Sequence, residues 1–161
     1  MSSSQLAYVD ASGTKPLLEA SAGRQFSAFA VDRIRDVICW TNASVDASPI
    51  RDMDLYASPI GSPVVLAPRK VATLRDDTVR GGAAGLVAHD GLVLHLESAQ
   101  RYVLTQGSSG AQQKFDVSEA AFRLGQVLWV DAKEVWLVGT DPGVPNPASY
   151  PCYVLRFERA S

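Results

Sequence analysis

Val127-Leu128-Trp129-Val130-Asp131-Ala132-Lys133-Glu134-Val135-Trp136-Leu137-Val138-Gly139 is the stretch on which the fold turns. Two apolar runs, rich in β-branched and aromatic residues, flank a polar connection, which is the pattern of an antiparallel hairpin. An even loop over Asp131–Glu134 sets Val130 opposite Val135, Trp129 opposite Trp136 and Leu128 opposite Leu137. Val127, Trp129, Trp136 and Val138 then share one side, and Leu128, Val130, Val135 and Leu137 the other. A ribbon apolar on both sides is not a solvent-covered edge. It is expected at the centre of a two-layer β-structure or beneath a partner chain.

Outward from this hairpin the apolar pattern stays short and of period two. Further strands are expected over residues 6–10, 26–31, 34–41, 53–57, 64–67, 70–74, 86–88, 92–97, 101–106, 113–115 and 153–158. Residues 26–38 also admit a helical drawing. Ser12-Gly13, Ala47-Ser48-Pro49, Asp90-Gly91 and Ser108-Ser109-Gly110 supply turn chemistry between strands. Such spacing predicts an all-β chain, a sandwich or barrel of jelly-roll-like kind. Ser118-Glu119-Ala120-Ala121-Phe122-Arg123-Leu124-Gly125 is the exception: a capping serine, good helix formers and a terminal glycine predict one short helix near 118–124.

A second hairpin is legible in register. With Ser98-Ala99-Gln100 as the connection, Glu97 faces Arg101, Leu96 faces Tyr102 and Leu94 faces Leu104. One side carries Leu92, Leu94, Leu96, Tyr102 and Leu104; the other carries Val93, His95, Glu97, Arg101, Val103 and Thr105. A slip of one residue would mix the two sides, so the register is well specified. The polar side is expected to face solvent.

The chain has 161 residues, enough for one domain with a sizeable core. A single β domain over 1–161 is expected, with an N-terminal arm (1–5) and a proline-rich loop (141–151). Apolar residues at 47% and charged residues at 20% argue against intrinsic disorder. Residues 1–80 hold nine basic and nine acidic side chains, and 81–161 hold six and eight. That balance, with a net charge of −2, disfavours general nucleic-acid binding. No apolar run reaches membrane-spanning length, and Met1-Ser2-Ser3-Ser4-Gln5 has no signal-peptide character.

Few residues suggest chemistry. Nucleophilic catalysis usually needs a histidine base, and His89 and His95 are the two histidines. His89 precedes the Asp90-Gly91 turn, which places it at a strand end. His95 and Glu97 share a strand side but supply only part of a metal site, so His95 is read as solvent-facing beside a Glu97–Arg101 pair. Arg80-Gly81-Gly82-Ala83-Ala84-Gly85 lacks the lysine and hydroxyl of a phosphate loop. Asp76-Asp77 reads as a polar turn, and Asn42-Ala43-Ser44 is a sequon of the kind that arises by chance. Cys39 and Cys152 sit in apolar surroundings and read as two buried free thiols, a bridge between them being the lesser reading. Trp40 and Trp129 are expected in the core, with Tyr56, Tyr150 and Tyr153 nearer contact surfaces.

No catalytic, cofactor or metal residue is assigned. The reading is a non-enzymatic structural or assembly protein, a component or decoration of a virus- or phage-like particle, located in a virion or the cytoplasm. Its partners are copies of itself or a larger protein shell. Interface candidates are Tyr150, Pro145, Pro147, Pro151, Trp136, Ser2 and Gln5. A proline-rich arm has little entropy left to lose on docking, and a serine-rich start has no apolar side chain to hold itself down. A carbohydrate-binding β-module is the first alternative; exposed aromatics grouped with Asp or Asn would distinguish it. A metal-dependent β-barrel enzyme is the second, requiring His95 and Glu97 to converge with His89 or another carboxylate.

Overall fold

Period-two patterning and closely spaced turns become antiparallel strands throughout the described chain. The computed structural model describes residues 5–44, 51–61, 66–76, 85–118, 122–141 and 152–159. In chain order the strands are β1 (Gln5–Asp10), β2 (Gly13–Glu19), β3 (Arg24–Asp32), β4 (Val37–Ser44), β5 (Arg51–Pro59), β6 (Arg69–Asp76) and β7 (Val87–His89). They continue as β8 (Leu92–Ser98), β9 (Arg101–Gln106), β10 (Gln112–Asp116), β11 (Arg123–Val130), β12 (Glu134–Thr140) and β13 (Cys152–Glu158). They form four antiparallel sheets, ordered β1-β2, β3-β4-β5-β6, β10-β9-β8-β7 and β11-β12-β13. No helix among the described residues is long and apolar enough to cross a membrane.

The β7–β10 sheet is packed on both faces. Leu92, Leu94, Leu96, Tyr102 and Leu104 meet Leu124, Val127 and Val130 of β11, Val135 and Leu137 of β12, and Leu155 and Phe157 of β13. Tyr102 joins the strands, stacking on Phe115 with ring centroids 4.9 Å apart and tilting against Phe157 at 5.5 Å. On the opposite face, Ala88 and Val93 pack with Leu86 against Cys39, Ala43, Met53, Leu55, Ala57 and Leu74 of the β3–β6 sheet. The middle layer therefore serves two apolar cores.

Several sequence expectations change here. The Leu94–Leu104 and Leu96–Tyr102 pairs form, but a bulge after Leu96 sets Ser98 opposite Arg101 and leaves a two-residue connection, Ala99-Gln100. The polar side of that hairpin is buried: Val93, His95, Glu97, Val103 and Thr105 are all closed off from solvent, His95 at 3% exposure. The second layer on β8 removes the water that a polar strand face ordinarily implies.

The hairpin of β11 and β12 keeps Val130 opposite Val135 and Trp129 opposite Trp136. A bulge between Val127 and Trp129 then sets Val127, not Leu128, opposite Leu137. The extra residue turns Val127 into the core and Leu128 outward. One side is packed and the other is not.

The short helix expected near 118–124 is corrected in its described part. Arg123 and Leu124 open β11, where Leu124 pairs with Gly139 and enters the core. Tertiary pairing overrides local helix propensity at these positions. Residues 119–121 lie outside the described residues. Residues 26–31 are strand, and β2 is an addition: Pro16 argues against a strand but is tolerated in a two-stranded ribbon. Cys39 and Cys152 form no disulfide; Cys39 is buried as expected, whereas Cys152 is exposed at the start of β13.

Candidate functional site

Three places combine side-chain chemistry with a defined frame. The first is the outer face of β11–β12–β13. Trp129 and Trp136 sit side by side across the β11–β12 pair and are 40% and 37% exposed. Leu128 at 39% and Val154 at 61% extend this apolar face. Its surroundings are charged: Arg156 lies opposite Trp136 on β13 and pairs with Glu134. The Trp129 indole N–H donates to Asp131 Oδ2 at 3.3 Å, and the His89 ring lies 4.5 Å from that of Trp129. Asp131 Oδ1 also accepts the N–H groups of Lys133 and Glu134, which hold its carboxyl below the ordinary range. Trp129, expected in the core, is thus a surface residue, because the side it shares with Trp136 is left uncovered.

The second place is the buried polar side of β8–β9. Glu97 accepts from Arg101 Nη1 at 3.0 Å and from Lys114 of β10. Burial would raise the Glu97 pKa, but the two cations outweigh it and hold the carboxyl ionised below its usual range. His95 has no hydrogen-bond partner for either ring nitrogen, and Thr105 Oγ1 has none either. Desolvation pushes the His95 pKa down to about 4; the Glu97 charge opposes that and Lys114 reinforces it. The expected exposed His95 is instead a buried neutral imidazole. Among the described residues no three His, Cys, Asp or Glu side chains converge as a metal site requires.

The third is a cleft of about 670 Å³ between the β3–β6 and β7–β10 sheets. Its apolar lining includes Val37 and Cys39 of β4, Ala57 and Pro59 of β5, Val93 of β8, and Ala67. Cys39 and Ala57 face each other across β4 and β5. Burial, with the nearby Asp32 charge, pushes the Cys39 thiol up to about 11, despite the opposing pull of Arg69. This is an unreactive thiol in an apolar floor.

Polar groups from several turns form the rest of the cleft. Arg35 Nε donates to Asp90 Oδ1 at 2.7 Å. Arg69 Nη2 donates to the Gly107 carbonyl at 2.6 Å and Nη1 to that of Ser108 at 3.5 Å. The buried Asp32 carboxylate accepts the N–H groups of Ile34, Arg35 and Gly91.

Of the interface candidates, Trp136 lies on the exposed sheet face and Gln5 is exposed at the start of β1. Ser2, Pro145, Pro147, Tyr150 and Pro151 lie outside the described residues, as do most of the N-terminal arm and the proline-rich loop. Tyr153 is exposed as expected, while Tyr56 is half-buried and stacked on the buried Trp40. The sequon residue Asn42 is buried in β4. Sequence reasoning missed the cleft; Asp90-Gly91 was its one legible part. A scan against protein-family models and a search of curated proteins each give no match.

Proposed function

We propose that this chain is a non-enzymatic assembly protein that associates through the outer face of β11–β12–β13, with copies of itself or as a component or decoration of a virus- or phage-like shell. The observation that carries this reading is the solvent exposure of the Trp129–Trp136 pair on a sheet whose other side is packed. Paired indoles in an apolar centre with charged neighbours have the composition of a protein–protein hot spot. Leu128 and Val154 widen the patch with aliphatic surface, which suits a protein partner. The three stacked layers favour an extended β-sandwich over a barrel, with each sheet presenting a face to the next.

A carbohydrate-binding reading has one observation in its favour: a carboxylate, Asp131, stands beside an exposed indole. Both Asp131 oxygens are already engaged by Trp129, Lys133 and Glu134, which leaves the carboxylate less available to sugar hydroxyls. The assembly reading is therefore the stronger.

Light scattering coupled to size exclusion tests the choice. The wild type should elute as an oligomer of the 17.2 kDa chain, and the double variant Trp129→Ser/Trp136→Ser should elute as a folded monomer. A monomeric wild type whose binding to a glycan array is lost in the double variant replaces this reading with the carbohydrate one. A monomeric wild type that binds neither glycan nor protein shell overturns both.

A further inference from the structure

β13 closes the β11–β12–β13 sheet, and among the described residues no strand pairs with its second edge. That edge is straight. β12 and β13 pair in one unbroken register, whereas β8–β9 and β11–β12 carry bulges. Of its seven residues, Cys152, Tyr153, Val154, Leu155 and Phe157 are apolar or aromatic. The edge strand β6 instead carries Arg69, Lys70 and Arg75, and β10 carries Lys114. Bulges and such charges ordinarily blunt an edge, and a flat apolar one is a template for a further strand.

The ladder fixes which main-chain groups look outward. The Arg159 N–H donates to the Lys133 carbonyl at 2.7 Å, one step beyond the Glu134–Glu158 pair in the same register. Bonded pairs alternate along an antiparallel ladder, so Phe157, Leu155 and Tyr153 also bond to β12. Val154, Arg156 and Glu158 therefore direct their N–H and C=O groups to the open edge. Their side chains share the outer face with Trp136, which lies opposite Arg156.

Pairing with a copy about a two-fold axis sets these outward residues against one another. An axis at Arg156 opposes two guanidiniums, and an axis at Leu155 sets Arg156 against Val154. An axis at Phe157 sets Arg156 opposite the partner's Glu158, and Glu158 opposite the partner's Arg156, with Cα atoms about 5.5 Å apart. Opposite charges at such positions are favourable and like charges are not. Within the chain Glu158 meets Arg156 only at 3.8 Å and stays 82% exposed, so its carboxylate can accept a second guanidinium.

We propose that two copies of the chain pair antiparallel along β13 about an axis at Phe157, Arg156 of each meeting Glu158 of the other. Two three-stranded sheets then become one of six strands, with both tryptophan faces on the same side. The pairing rests on the assembly reading, to which it adds a second contact. A few main-chain bonds and two exposed ion pairs hold little alone, but they strengthen an assembly that the tryptophan face already gathers.

Sedimentation equilibrium tests the pairing through its charges. Glu158→Arg should weaken self-association about tenfold, and Arg156→Glu likewise, because each opposes like charges in its own pairs. An equimolar mixture of the two variants should return to within about twofold of wild type, since every facing pair in the mixed dimer is again opposite in sign. If Arg156→Glu does not fold beside Glu134, Glu134→Lys/Arg156→Glu takes its place with the in-chain pair reversed. Wild-type association in Glu158→Arg, or no recovery in the mixture, overturns the pairing and leaves the tryptophan reading standing. Undiminished association in Trp129→Ser/Trp136→Ser, together with the charge effects and their recovery, upholds the pairing and removes the tryptophan reading. A wild type that is monomeric at every concentration overturns both.

Discussion

The Asp32 carboxylate at the end of β3 accepts the backbone N–H of Gly91 at 2.6 Å. This bond joins the β3–β6 sheet to the turn between β7 and β8. Gly91 in turn accepts the Gly107 N–H, so three segments distant in sequence close on one point.

Replacing Asp32 by Ala should lower stability by about 1–3 kcal/mol, since the part-buried bonds from the Ile34, Arg35 and Gly91 N–H groups lose their ionised acceptor. Burial would raise the Asp32 pKa, but the N–H groups of Gly91, Arg35 and Ile34 prevail and bring it below 3.8. Its contribution is therefore complete above that value and is lost as pH falls through the lower folded-state pKa. Urea titrations of wild type and Asp32→Ala should converge in strongly acidic solution.

His95 acts in a different pH window. Its pKa falls from 6.5 to about 4 on folding, so below 6.5 the unfolded chain binds a proton that the folded chain refuses. Stability should drop by roughly 2–4 kcal/mol as pH falls from about 6.5 towards 4. His95→Leu removes the two unpartnered ring nitrogens and should flatten that part of the curve. An unchanged pH slope in the variant contradicts this assignment.

The β11 bulge can be tested by a pair of truncations. Val127→Ala should destabilise by about 1–2 kcal/mol, while Leu128→Ala should change stability by less than about 1 kcal/mol. The even register read from sequence sets Leu128, not Val127, opposite Leu137, without choosing which side is packed. Chemical denaturation of the two variants distinguishes these arrangements.

Gly110, at φ +74°, holds the connection between β9 and β10 against β6. A Cβ there would lie 2.2 Å from the Val71 carbonyl oxygen, so main chain must move to admit it. Gly110→Ala should destabilise by more than about 2 kcal/mol through the combined clash and positive-φ strain. A melting temperature equal to that of wild type refutes the contact.

Local pattern carried the strands and much of the pairing. Leu94 and Leu96 alternate with His95 and Glu97, and that alternation selects Leu104 and Tyr102 as their partners. It could not reveal what lies over His95 and Glu97. The burial of that side depends on a second sheet and on Lys114, a cation brought in by β10 from seventeen residues beyond Glu97. The Val127–Trp129 bulge was hidden for a related reason: every residue in that run is apolar, so no polar position marks the change of side. The cleft gathers side chains from β3 to β9 and the turns between them, and no local window contains it.

The β8–β9 hairpin forms a wall of both apolar cores. Loss of its pairing would expose Leu94 and Tyr102 on one side and Val93 on the other in the same event. Neither core then has an independent melting transition, and the flanking sheets should unfold together. The most slowly exchanging amides should belong to this hairpin, because they open only when both cores do.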